Sequence, residues 1–209
     1  MIIRVLSALA LTGGEWVIYI LALCSVMAMA VMIERGMVLA KERKDLRRIQ
    51  ELFLKYKGEG DYAKLPEALI QSVSLAGVVI SGAFEKIGAE VESIEEKVLA
   101  ITLRERQRLE TRMIIIGTLG NNAVYIGLFG TVLGVIKAFH DLAQSAQAGP
   151  EIVMQGLSEA LLATAVGLLV ALPCVIAYNV LNKKIDDILL ETDSMVHHLL
   201  AEQKSNKGK

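Results

Sequence analysis

Few side chains in this sequence combine polar chemistry with apolar surroundings, and they fall in two stretches, 113–139 and 152–181. Thr131 lies eight residues from Phe139, about 12 Å along a helix, and Thr164 lies twelve residues from Ile152, about 18 Å. On antiparallel helices those depths are compatible. A threonine hydroxyl both donates and accepts hydrogen bonds but does not titrate, so such a pair can solvate a proton carrier without being one. The plain alternative is a hydroxyl bonded back to the carbonyl four residues earlier. Glu159 is the only carboxylate inside either stretch. It reads either as a solvated first-turn acid favoured by the helix dipole or as a functional group facing a cavity or partner. Asn121, Asn122 and Tyr125 place further polar atoms deep in the first of the two stretches. Asparagines in such a place more often bond between helices than bind a ligand.

Other chemistries are poorly supported. The two cysteines, Cys24 and Cys174, sit in apolar runs and read as small buried hydrophobes rather than a disulfide or metal pair. His140, His197 and His198 have no ligand-like spacing with cysteines or carboxylates. No P-loop, dinucleotide-binding turn or nucleophile elbow is present, and the GEG at 58–60 is a lone turn signal. The sequence therefore points away from an enzyme, and it implies no cofactor, metal or nucleic acid.

The elements that must position these residues are membrane helices. The chain has 209 residues, 54% of them hydrophobic, and a mean hydropathy of +0.49, above what a soluble domain of this length shows. Residues 16–33 carry no charge and are about long enough to cross ~30 Å of hydrocarbon, with Trp16 and Tyr19 near one end as interfacial anchors. Residues 1–15 read as a weak signal peptide or an interfacial amphipathic segment, and the second is preferred. From Glu34 a polar region of helices extends to Arg112: one continuing out of the first span, a second over 66–88 with Pro66 at its start, and a third from about Ala89. The third contains no breaker, so the sequence predicts one very long helix running into the second span at 113–139. A loop over 140–151, a third span at 152–181 and a charged amphipathic tail at 182–209 complete the chain.

Charge sets the topology. Of 22 Lys and Arg, 15 lie between Glu34 and Arg112 and five follow Leu181, while the 140–151 loop has none. By the positive-inside rule, the N-terminus and that loop are outside, and the middle region and tail are cytoplasmic. A fourth span over 69–84 would strand a basic cluster on the wrong side, and that stretch is short and contains Gln71, Ser72, Ser74 and Ser81. The fold class expected is an all-α integral membrane protein with three spans and long cytoplasmic helical extensions, assembled as a homo-oligomer.

Both polar spans also carry small residues at helical spacing. The third has Gly156, Ala160, Thr164, Gly167, Ala171, Cys174 and Ala177, and the second has Gly127, Gly130, Thr131, Gly134 and Ala138. In lipid, where burial supplies little drive between helices, such stripes let backbones approach closely, so Gly127, Gly130, Gly134 and Gly167 are the candidate packing positions.

GLFGTVLGVIKAF at 127–139 and GLSEALLATAVGLLVALPCVIAYNVL at 156–181 resemble the MotA/TolQ/ExbB proton-channel family, with ExbB and TolQ nearest, and Glu34-Arg35 straight after the first span is also family-like. The resemblance implies a homo-oligomer, a pentamer in ExbB, whose second and third spans line a pore. That pore holds the single membrane helices of an ExbD- or TolR-like partner. A partner aspartate takes up and releases protons, and the motion energises a TonB- or TolA-like protein. The family's pore threonines fall on Thr131 and Thr164, and its third-span glutamate on Glu159. Where the family often has proline, this chain has Val124 behind Asn121 and Asn122. The implied location is a bacterial inner membrane, with a periplasmic N-terminus and a cytoplasmic C-terminus. Rival readings are a non-conducting membrane scaffold and a four-span flagellar-type stator.

Overall fold

The computed structural model describes residues 12–59, 69, 72–85, 90–144 and 150–207. Among these there is no strand. Five helices follow in order: α1 Glu15–Glu59, α2 Leu75–Phe84, α3 Val91–Glu110, α4 Met113–Gln144 and α5 Pro150–Lys207. Three of them, α1, α4 and α5, are long and apolar enough to cross a membrane. In their most apolar eighteen-residue windows only 22%, 28% and 33% of residues are buried within the chain. The remaining apolar surface, including Leu23, Val26, Leu128, Leu162 and Leu169, is exposed in the isolated chain. Side chains of that kind belong against lipid or other helices.

The chain divides into two compact units. The first takes in residues 1–33 and 112–179. Its core is built from Val17, Leu21 and Ala28 of α1, Ile116, Ala123 and Leu133 of α4, and Ala160, Ala163, Ala171 and Cys174 of α5. Six of these ten are alanine or cysteine, because the helices meet through small residues. A Cβ on Gly127 would stand 3.1 Å from the Gly167 Cα and 2.7 Å from the Ala163 carbonyl oxygen; one on Gly167 would stand 2.7 Å from the Ala123 carbonyl oxygen. Gly134 faces Ala160, and Gly130 faces Ala163 and Val17. The α1 end is fixed here too. Gly13, at φ +78°, and Gly14 lie against Lys137 and the Gly130 backbone. The Gly14 carbonyl accepts the Val17 amide at 3.1 Å as α1 begins.

The second unit comprises residues 34–111 and 180–209. Leu39, Leu46, Ile49 and Phe53 of α1 form its core with Leu75, Val79 and Ile80 of α2, Ile94 and Val98 of α3, and Ile185, Ile188 and Val196 of α5. Glu42, almost fully buried, ties three of these helices together. Its carboxylate accepts the Leu75 amide at 2.9 Å and the Arg108 guanidinium at 2.8 Å. It thus meets an exposed cation on α3 and satisfies a free N–H at the start of α2. Ser74, the N-cap of α2, accepts from the Gly77 amide. Gln50 donates to Glu191 at 2.7 Å, joining α1 to the tail.

Two expectations are corrected. The helix predicted to run unbroken from about Ala89 into the second span stops at Glu110 and restarts at Met113. Thr111 turns out of the helix at ψ 133°, and Arg112 takes a left-handed φ of 64°. The break uses no glycine or proline; the Thr111 hydroxyl instead donates to the Gln107 carbonyl at 3.2 Å as the helix ends. The 140–151 loop is also shorter than expected, since α4 continues through Gln144 and α5 begins at Pro150. The third span and tail form one helix with Pro173 inside it. The sequence placed the second cytoplasmic helix over 66–88; α2 occupies Leu75–Phe84, and Pro66 and the segment 1–11 lie outside the described residues. Ten residues span about 15 Å, half of a hydrocarbon core. Seven of the ten are buried in the second unit, so α2 is a core helix of that unit rather than a fourth span.

Candidate functional site

Thr131 sits on α4 one residue beyond Gly130, and Thr164 on α5 one residue beyond Ala163. The glycines around them bring the two backbones close enough for short side chains to meet. The two hydroxyls are hydrogen-bonded to each other. The Thr131 hydroxyl also has the Ala160 carbonyl at 3.1 Å and the Gly127 carbonyl of its own helix at 3.3 Å. One proton cannot serve three acceptors. Either Thr131 donates to Thr164, or Thr164 donates to Thr131, which then donates to a carbonyl. Both arrangements need only rotation about the C–O bonds. The simple back-bond to the helix is therefore one option within a hydroxyl pair that crosses between helices. Both threonines are half-buried.

Glu159 lies five residues before Thr164, about 7.5 Å along α5. It is exposed, and Gln155 donates to it at 3.2 Å. It borders a cavity of about 230 Å³ between the ends of α1, α4 and α5 in the first unit. Glu15, Lys137, Asp141 and Gln155 line the same cavity. Lys137 stands 3.9 Å from Glu15. The sequence reading missed these four as companions of Glu159. Lys137, as the only basic residue within the second span, was the available signal, because a lone charge at that depth needs a partner. Tyr125, grouped with the asparagines in the sequence, is 69% exposed and points away from the helix seam. Asn122 donates to the Thr118 carbonyl at 2.8 Å. Cys174 is buried and Cys24 partly so, and both are free.

Together these features define a class: a multi-pass helical membrane protein with small-residue seams and a hydroxyl pair set between two spans. Residues 67–194 match the model of the MotA/TolQ/ExbB proton channel family, and the chain belongs to that family. It is 33% identical over 188 residues to the Tol-Pal system protein TolQ of Haemophilus influenzae, covering 83% of this chain and 81% of that protein. Against the biopolymer transport protein ExbB of Aquifex aeolicus it is 33% identical over 135 residues, covering 65% of this chain and 88% of the relative. A putative biopolymer transport protein ExbB-like 2 of Helicobacter pylori shares 40% identity over 98 residues, covering 45% of this chain and 65% of that protein.

Proposed function

We propose that this chain is the pore-forming subunit of a proton-motive-force-driven motor in a bacterial inner membrane. Copies assemble as a homo-oligomer, a pentamer by analogy with ExbB. They surround the membrane helices of an ExbD/TolR-like partner and energise a TonB/TolA-like protein that acts on outer-membrane transport. The N-terminus is periplasmic and the C-terminus cytoplasmic.

The observation that carries this reading is the Thr131–Thr164 hydroxyl pair between two spans that contain no titratable group at that depth. A carboxylate moved into a low-dielectric site is stabilised by donors, whereas a protonated acid needs acceptors. Hydroxyls supply either by rotation, so the pair serves a partner carboxyl in both protonation states without titrating. Glu159, nearer the outer mouth, presents a negative charge where protons enter.

The test is to express the chain with its partner, measure intact-complex mass, and compare the parent with Thr131→Val and Thr164→Val. Unchanged assembly with at least a tenfold fall in proton-dependent work supports the reading; full work in both variants removes it and favours a non-conducting scaffold. A second reading, a TolQ-like role in envelope maintenance, is favoured by relatives named TolQ that align over most of both chains, with coverages of 83% and 81% in one case and 79% and 76% in another. Complementation of hosts lacking either ExbB or TolQ separates the two.

A further inference from the structure

Asn121 and Asn122 have no role in the proposed motor so far, yet they border a second cavity in the first unit. This cavity, of about 370 Å³, lies between α4 and α5 at the end opposite to Glu159. Thr118, Asn121, Asn122, Tyr178 and Asn179 supply its polar lining. Gly117 shapes it: a Cβ there would stand 3.0 Å from the Tyr178 ring, so only glycine lets the ring lie against α4. The space is large enough for several waters, and five polar side chains could give them partners.

The seam between this cavity and the threonine pair is dry. Gly127 and Gly167 are in backbone contact, and Ala123, Ala171 and Cys174 are 0%, 3% and 1% exposed. Asn122 is nine residues from Thr131, about 14 Å, which is too far for one proton transfer. Among the described residues, a proton leaving the threonine level has no continuous polar route, and it must be carried past the seam by a group from elsewhere. It then needs water on the far side.

We infer that the cavity walled by Asn121, Asn122, Thr118 and Tyr178 is a water-filled inner vestibule that receives protons from the partner carboxyl and passes them to the cytoplasm. The inference rests on the proposed motor function and on the topology read from charge. Asparagine suits this place because it orders water without titrating, so it neither traps the proton nor adds a fixed charge. Asn122 already spends one donor on the Thr118 carbonyl of its own helix, leaving its carbonyl oxygen for water.

The experiment uses the full chain with its partner in inside-out vesicles, carrying Cys24→Ala and Cys174→Ala. Asn121→Cys and Asn122→Cys are exposed to a cationic, membrane-impermeant methanethiosulfonate reagent, with Leu128→Cys on the apolar face of the same helix as control. The vestibule predicts labelling at least tenfold faster than the control. In parallel, the pair Asn121→Val/Asn122→Val should lower proton-driven work fivefold or more at unchanged complex yield, and Asn122→Ser should restore most of it. Labelling no faster than the control, or full work in the valine pair, overturns the inference. Loss of the complex in the valine pair also overturns it, by assigning the asparagines to subunit packing. Full work in Thr131→Val alongside impaired work in the asparagine variants would sink the role of the threonine pair and leave the vestibule standing.

Discussion

At the scale of single residues, the threonine pair is one unit. Each hydroxyl's value depends on the other, because a lone hydroxyl at that depth falls back on a helix carbonyl. Interhelical hydrogen bonds in membranes average about 0.6 kcal/mol, so Thr131→Val should cost the fold little. Its effect on proton-dependent work should be large, and Thr131→Val/Thr164→Val together should lose scarcely more than either alone. An additive double variant in the same assay would show two independent hydroxyls. Glu159→Gln keeps the Gln155 contact possible and removes the charge; a fall in work that high proton concentration outside relieves would identify a collecting role. The residues Thr131, Thr164 and Glu159 were legible because a polar atom in an apolar run stands out. Glu15, Asp141 and Gln155 were not, since residues at span ends look like ordinary solvated surface until three helix termini converge on one cavity.

At the scale of elements, glycines separate into those that hold helices together and those that do not. A Cβ at Gly167 would press on Ala123 carbonyl oxygen and Gly127, whereas one at Gly36 meets nothing within 4 Å. Gly167→Leu should therefore abolish assembled protein, seen as loss of the complex on a sizing column. Gly36→Ala, in the interior of α1, should raise stability by about 0.5–1 kcal/mol. Small-residue stripes at helical spacing disclosed these seams in advance because the pattern is periodic. The break at Thr111–Arg112 was hidden for the opposite reason: it rests on a left-handed arginine, with nothing in RLETRM to signal it. A left-handed non-glycine residue carries a strain of roughly 1–2 kcal/mol, so Arg112→Gly should not weaken the fold by chemical denaturation and Arg112→Val should. In the second unit, the Lys97 ion pair holds the Glu85 carboxyl below its ordinary value of 4.5. That contribution is present above about pH 4.5 and is lost as pH falls through the lowered value.

At the scale of the whole molecule, the charge map and the helix lengths make the same demand. Three helices have enough length and apolar surface to cross a bilayer, and α2, though apolar, is too short. Its apolar residues Leu75, Ala76, Val79, Ile80 and Ala83 are 0–3% exposed, spent on the core of the second unit. A lipid-crossing α2 would have to withdraw them and release the Glu42 carboxylate from the Leu75 amide and Arg108. Losing the Glu42 carboxylate leaves the buried Leu75 amide without its acceptor, a cost of roughly 1–3 kcal/mol. Glu42→Ala should accordingly destabilise the second unit far more than an exposed change such as Lys183→Ala. The topological consequence is direct. Val73 and Glu85 flank α2 and are exposed or close to it, so cysteines placed there should react with an impermeant thiol reagent from the same side of the membrane, the cytoplasmic one. Asp141, near the C-terminal end of α4, should react from the opposite side when replaced by cysteine. Opposite-side labelling at 73 and 85 would require a fourth crossing, and with it a different assignment for every basic cluster in the chain.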